Sequence, residues 1–565
     1  MNRVLIPAAI LLLLSYTWCN STVIYASFNK TAIEYSKPTV ANSSVIWVPS
    51  DNYPTIQGAI NNAKEGDTVF VRNGTYFERV VIDKSLSLVG ENKYETILDG
   101  GRTETIVIVT ANNVVISNIT VQNGEFGVWL RGSRNNILAD NVFTNNSEGI
   151  HLWGSSSNVL TGNVASNNWA GIHLLGSSSN VLTGNVASNN WYGTYLDDSS
   201  LNTLVDNVVF SNNDGVRLYH SDNNFLSGNT ALNNSCGFYV GDSDDNALSG
   251  NNALHNQRGF LFYHSRNNLL RGNIMANNSQ YGVFLESSST NKILQNNFVD
   301  NIASQCRSID SANSWDNGVE GNYWSDYDGT DTNRDGIGDA PYLVEKNCQD
   351  NCPLMAMFLQ FRILVENQSH MIDAVSNSTI SDFHFHSDSY NTTNAVSLKA
   401  DGAGFCRISI PNALIEPPFE VRLNDSQPLY FHKVYTNGTH TWLYFAYNHS
   451  EHEITITHTF SLEQLVSYQW TIFGLVIIIV ILLSISVNYY RLFNKERRVI
   501  EAYEREVGGF PISHEERARM RFIKDVITRE EKIEKFGRKY GIKIQPASSL
   551  EDIMEKLNVQ KEVKH

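Results

Sequence analysis

The stretch GSSSNVLTGNVASNNW runs from Gly154 to Trp169 and returns without change from Gly176 to Trp191. The two copies start 22 residues apart, and the same interval continues outward from them. Glycine recurs at Gly127, Gly149, Gly171, Gly193, Gly215, Gly237 and Gly259, and three asparagine columns keep step from Asn136 to Asn268, Asn141 to Asn273 and Asn146 to Asn278. One residue inserted after Asn278 shifts Gly282, Asn291, Asn296 and Asn301 together, so the register is structural. A period in this range, with short alternating segments and no helical pattern, is the signature of a stacked solenoid whose coils cannot bury their apolar faces alone. Copying one coil whole is tolerated in such an array because the added unit repeats existing neighbour contacts.

The glycine sets the direction of each coil. In the strand after it, the first and third residues are apolar in nearly every coil, as in Ile150 and Leu152 or Phe238 and Val240, with Thr194 the exception. These face inward, and the second and fourth residues face out, because successive strand side chains project to opposite sides. A second short strand carries an inward leucine, from Leu138 to Leu270, two residues after the first asparagine column. About ten coils at roughly 4.8 Å per rung give a rod about 50 Å long. The asparagines are expected in turns, bonding local backbone, tolerating left-handed conformations and stacking from coil to coil.

The remaining organisation follows from hydropathy and charge. Arg3 and the apolar run Leu5 to Leu14 predict a secretory signal over residues 1–26. Trp470 to Val487 is apolar and long enough to cross a bilayer, giving a transmembrane helix over 470–488. Arg491, Lys495, Arg497 and Arg498 follow it and assign the helical tail, 491–565, to the cytoplasm. Every Asn-X-Ser/Thr sequon, from Asn20 to Asn448, precedes that segment. Those in the repeat are expected to be buried in the ladders, leaving the 367–448 stretch as the better acceptors. Residues 353–460 alternate in short β-rich runs and predict a β-sandwich-like domain outside the membrane. A net charge of −16 argues against nucleic acid as a partner. Cys306, Cys348 and Cys352 surround one loop, where one disulfide is expected.

The opening PTIQGAI at 54–60, GDTVFV at 66–71 and GTY at 74–76 resembles the start of right-handed parallel β-helix proteins of the NosD-type family, grouped also with carbohydrate-binding and sugar-hydrolase β-helices. The resemblance covers residues 45–345. It implies a mainly β chain with a right-handed parallel β-helix of about 22 residues per coil, capped at its open end by a helix over Thr55 to Ala63. GNYWSDYDGTDTNRDGIGDAPY, from Gly321 to Tyr342, looks like the terminal segment of archaeal surface members of that family.

Four groups of residues carry candidate chemistry. Asp331, Asn333, Asp335 and Asp339 place oxygens around Gly336 as in the first half of a calcium loop, with Asp326 and Asp328 able to complete the shell. The competing reading is an acidic turn held by its own hydrogen bonds. The outward columns of the glycine-led strand hold Trp129, His151, His173, Tyr195, Arg217 and Tyr239, then Trp153, Asp197, Tyr219, Tyr263 and Glu286. Exposed aromatics in a flat row suit stacking against the sugars of a polysaccharide or cell-envelope glycan, although aromatics favour strands in any case. Asp197, Asp198, His220, Asp242, Asp244, Asp245 and His264 could supply acid and base to a polysaccharide lyase, epimerase or hydrolase. However, the Asp-Pro-His-Asp signature of the related alginate epimerases is missing. The family resemblance also implies copper handling, for which His384 and His386 on one strand face are the only pair, without a methionine-rich or cysteine-paired site. Glycan recognition without cleavage is the expected function.

Overall fold

The computed structural model describes residues 43–102, 104–345, 348–365, 368–387, 394–424, 427–448, 451–459 and 462–506. The signal segment and residues 507–565 of the tail lie outside the described residues. The chain divides into two units, Met1–Thr459 and Phe460–His565.

In the first unit the chain winds through three parallel sheets, two of twelve strands and one of eleven. Twelve rungs at roughly 4.8 Å give a rod of about 53 Å. The coils beyond the expected ten lie before Gly127, where pairs such as Val45–Val48 on Thr68–Val71 carry no glycine or asparagine ladder. The inward leucines align from coil to coil, Leu138 on Leu160 on Leu182, and the glycine-led strands align likewise, with Ile150 on Ile172 and His151 on His173. Both inward sets are buried, and Thr194 faces in with them. A third strand per coil, such as Val142–Thr144 and Val164–Ser166, lies between these two in sequence. Its inward residues include Phe143, Ala165, Ala187, Val209 and Ala231, and the run of alanines explains why hydropathy alone does not reveal it.

The asparagine ladders are buried and their amides stack from coil to coil as expected, with local bonds such as Asn224 Nδ2 to Asp222 O (3.2 Å) added in some turns. Asn207 Oδ1 accepts from the backbone N–H and the amide of Asn185 one coil back (3.0 and 2.9 Å), and its Nδ2 donates to Leu182 O (2.9 Å). The same pattern repeats in all three columns, for example Asn158 to Asn180 and Asn168 to Asn190. The left-handed backbone belongs to the residue just before each ladder asparagine, such as Asn135, Asp140, Asn145 and Asn233. Those preceding residues point out, so the sequon asparagines Asn145, Asn233 and Asn277 are exposed. The glycines answer to a different demand. A Cβ on Gly215 would stand 2.6 Å from Gly237 O, and every ladder glycine from Gly127 to Gly259 meets the next coil's carbonyl in the same way.

Both ends of the core are closed. The helix Ile56–Asn62 buries Ile56, Ala59 and Ile60 against the first coils. Thr55 Oγ1 caps it by accepting from Gly58 N, and the Glu78 carboxylate accepts from the N–H groups of Ile56 and Gln57 (3.1 Å each). At the other end Trp324 stacks on Phe298 (4.1 Å between centroids) and on Tyr342 (4.3 Å), with Trp315 beside it. Buried Asp350 accepts there from Asn322 N (2.7 Å), Trp324 Nε1 (2.9 Å) and Cys352 N (3.0 Å). Burial still pushes its carboxyl up to about 6. The expected disulfide is absent: Cys306, Cys348 and Cys352 are free thiols, and Trp315 Nε1 donates to Cys348 Sγ.

Beyond the rod, two five-stranded antiparallel sheets enclose a common core that includes Ile372, Ile408 and Leu443 from one sheet and Val396 and Ile454 from the other. The second unit's described part is one helix, Leu462–Glu506. Within it Gln469–Lys495 is long and apolar enough to span a membrane, the only such helix among the described residues.

Replacing Asn207 by Ala strands Asn185 N and Leu182 O in a dry core, at a cost of roughly 2–5 kcal/mol. The expected result is a melting temperature lowered by several degrees in a calorimetric scan. Gly215→Ala is expected to do the same through its collision with Gly237 O, whereas Gly184→Ala, with nothing within 4 Å, is expected to show a smaller loss from its left-handed backbone alone.

Candidate functional site on the glycine-led sheet

Each glycine-led strand is six residues long and offers three outward positions: the residue before the glycine and the second and fourth after it. The last two are the columns that alternation predicts. The first adds Phe126, Glu148, Ala170, Tyr192, Asp214, Cys236 and Arg258, three residues before the first aromatic column, a step that strict period-two alternation does not give.

In-register stacking changes what outward means. Rungs at about 4.8 Å let each flat ring cover its neighbour, so His151 and His173 are each only 7 % exposed, against the expectation of an open row. Phe126 stacks on His151 (4.7 Å), and His173 lies nearly parallel to Tyr195 (4.7 Å, 5°). Trp129, Tyr195, Arg217, Tyr219, Tyr239 and Tyr263 are half-buried. Trp129 Nε1 is buried with no hydrogen-bond partner. The accessible aromatics are Trp153 (45 %), Trp169 (45 %) and Trp191 (54 %). Trp169 and Trp191 stand just before the strand, where no alternation rule points to them, although both end a copy of the duplicated stretch.

Two buried acids sit in the first outward column. Glu148 Oε2 meets His151 Nδ1 at 2.6 Å and His173 Nδ1 at 3.0 Å. Burial pushes the Glu148 carboxyl up, but the two imidazoles outweigh it and hold the group at about 2. Three coils on, Asp214 takes the equivalent place and pairs with Arg217 Nη1 at 2.8 Å. The Arg217 guanidinium also lies 4.1 Å over Tyr239 and 5.3 Å from Tyr192. Burial and the neighbouring Asp197 push the Tyr195 phenol well above its ordinary range, so it is a hydrogen-bond donor at working pH.

Of the candidate acid–base residues, Asp197 ends its strand and the others fall on turns. Asp198, His220, Asp242 and His264 all adopt left-handed backbone at the position where earlier coils have Gly154 and Gly176. Asp197, Asp198 and His220 bring ligand atoms within 4.8 Å of one another, but the last two are exposed. Asp244 Oδ1 accepts from Arg266 N (2.6 Å) and so caps the next coil's turn, and Asp245 is a left-handed turn residue.

In the acidic loop, Asp331 accepts from Asp335 N (3.0 Å) and Gly336 N (2.9 Å). Asp335 accepts from Ile337 N and from the Asn333 amide, and Asp339 from Thr332 N (2.9 Å) and Thr332 Oγ1 (2.8 Å). Asp326 accepts from the Tyr342 hydroxyl. These bonds close the turn around Gly336. His384 and His386 share a face with ring centroids 6.2 Å apart, and His386 Nε2 contacts Ser397 Oγ.

Residues 183–329 match the family model described as periplasmic copper-binding protein (NosD), and residues 104–253 match the right-handed β-helix region model. Similar solved structures include the mannuronan C-5 epimerase AlgE6 A-module of Azotobacter vinelandii, at 16 % identity over 46 % of this chain and 94 % of that one, with a TM-score of 0.35. The Dettilon tailspike protein is 12 % identical over 73 % of this chain and 93 % of its own, with a TM-score of 0.39. The catalytic domain of a GH87 α-1,3-glucanase is 13 % identical over 51 % and 71 %, with a TM-score of 0.34. No curated protein matches the chain.

Glu148 is depressed below its ordinary 4.5, so the folded state binds fewer protons than the unfolded chain there. Its contribution to stability is in place above about 4.5 and fades as pH falls to about 2. Melting temperatures of wild type and Glu148→Gln are expected to differ at pH 5 and to converge near pH 2.

Proposed function

We propose that this NosD-like, right-handed parallel β-helix binds a polysaccharide or cell-envelope glycan along the outward face of its glycine-led sheet without cleaving it. The observation that carries the reading is the trio Trp153, Trp169 and Trp191, about half exposed on a backbone that the ladders hold rigid. A large apolar ring left in water gains by stacking on a pyranose, which offers an apolar face and polar edges. Arg131, at 5.5 Å from the Trp153 ring, adds a fixed donor beside one of them. The half-buried Tyr195, Arg217 and Tyr239 act beneath as a floor, with their polar atoms largely committed to one another.

Recognition rather than catalysis is supported by the state of the polar groups. The Tyr195 phenol is held protonated, and Asp214 is neutralised by Arg217. Asp198, Asp242 and their histidines stand on turns.

The protein is further proposed to be held at a membrane by Gln469–Lys495. The basic residues Arg491, Lys495, Arg497 and Arg498 favour the cytoplasmic side for the end that follows.

Glycan-array binding by the purified protein, repeated with Trp153→Ala, Trp169→Ala and Trp191→Ala, tests the surface. Each substitution is expected to weaken binding about tenfold, equivalent to about 1.4 kcal/mol. Because these rings are exposed, melting temperatures are expected to stay within a degree or two. Binding unchanged in the triple variant removes this face from the mechanism.

A further inference from the structure

We propose that Glu148, His151 and His173 form a binding site for one divalent d-block cation of the zinc, copper and nickel class. Glu148, His151 and His173 each bring one ligand atom within 4.8 Å of the other two, on three residues each less than a tenth exposed. Two imidazoles and one carboxylate are the donor set such ions prefer, and a hard cation such as calcium does not choose it. A tetrahedral ion with bonds of about 2.0–2.1 Å needs donors about 3.3 Å apart. The observed separations from Oε2 are 2.6 and 3.0 Å. Openings of about 0.7 and about 0.3 Å therefore admit the ion, through side-chain rotation.

Comparison along the same column supplies the second argument. A buried carboxylate needs a compensating cation. Three coils away the chain provides one for Asp214, namely Arg217. At Glu148 the corresponding partners are two imidazoles, which are themselves metal-ligating groups, in place of a guanidinium. His173 Nδ1 donates to Glu148 Oε2 in the ion-free state, and the buried Nε2 has no hydrogen-bond partner, so Nε2 can carry the ring proton when Nδ1 ligates an ion. The two histidines are held at this spacing by the coil register, His151 directly on His173, which means that the site is built before an ion arrives.

The site stands independently of the glycan reading, since the exposed tryptophans can stack on sugar with no ion bound. Isothermal titration of the chelator-stripped, detergent-purified full chain with zinc chloride and with copper sulfate tests it. One equivalent is expected to bind, with affinity reduced at least 100-fold in the His151→Gln, His173→Gln double variant. Glutamine keeps an N–H that can reach Glu148, so the fold is expected to survive, read as an unchanged circular dichroism spectrum. The His384→Ala, His386→Ala variant is expected to titrate like wild type. Electron paramagnetic resonance of the wild-type copper complex needs no variant and is expected to display coupling to two imidazole nitrogens. Absence of any bound equivalent, wild-type affinity in the glutamine variant, or a spectrum with fewer than two imidazole nitrogens overturns the proposal.

Discussion

The coil-to-coil hydrogen bond of the buried asparagine amide is the constraint from which the rest of the rod follows. An amide moved from water to an apolar interior without partners costs several kcal/mol, and this core holds three columns of them. Each is affordable only because the coil on one side presents a carbonyl and the coil on the other presents another asparagine. A coil displaced by one residue would exchange those partners for apolar side chains and turn its leucine outward. Apolar packing alone would tolerate small slips, whereas amide satisfaction does not. The ladder therefore acts as the register gauge and the leucine and glycine-led strands supply the apolar burial.

A fixed register has a consequence on the outside. Identical positions stand about 4.8 Å apart along the rod, so two like charges in consecutive coils would repel strongly. The outward columns avoid this. Glu148 is followed by Ala170 and Tyr192 before Asp214 appears, and Asp197 is separated from Glu286 by Tyr219, Gly241 and Tyr263. In the turn column, Asp198, His220, Asp242 and His264 alternate acid with imidazole, with His220 at 3.9 Å from Asp198 and His264 at 3.5 Å from Asp242. That alternation accounts for these carboxylates and histidines as a column made compatible with stacking. The same rule makes the Glu148 pair of histidines unusual, because there one acid is shared by two imidazoles on successive rungs.

What could be read from the chain tracks how far each feature depends on one coil alone. Period, inward leucines and the capping helix are local patterns repeated many times, and they were legible from Gly127, Leu138 and Thr55 onward. The third strand was hidden because Ala165 and Ala187 are too small to mark an apolar face. Burial of His151 and His173 was hidden for a different reason: alternation within a strand gives the side a residue faces, but not whether the rung above covers it. Trp169 and Trp191 lie before the strand and follow no period-two rule. Glu148 became visible as a site residue only once its distance to histidines three and twenty-five residues away was known.

The far end of the rod extends the argument to the acidic loop. Glu320 and Arg407 form an ion pair that is almost wholly buried, at 2.9 Å. Such a pair repays its desolvation only when its remaining polar atoms are also bonded. Glu320 accepts as well from Trp442 Nε1 (2.9 Å) and Gln295 Nε2 (2.6 Å), and Arg407 Nη1 donates to Asp335 O (2.7 Å). Gln295 belongs to the last coils and Trp442 to the antiparallel sheets, so one carboxylate ties the rod to the domain that follows it. The carbonyl that completes the arginine's shell comes from the Asp331–Asp339 loop, whose aspartates fold the backbone so that Asp335 O faces inward. The loop of Asp331 to Asp339 thus reaches the domain that follows: its turn presents Asp335 O to Arg407, and through Arg407 it is joined to the carboxylate that ties the antiparallel sheets to the last coils.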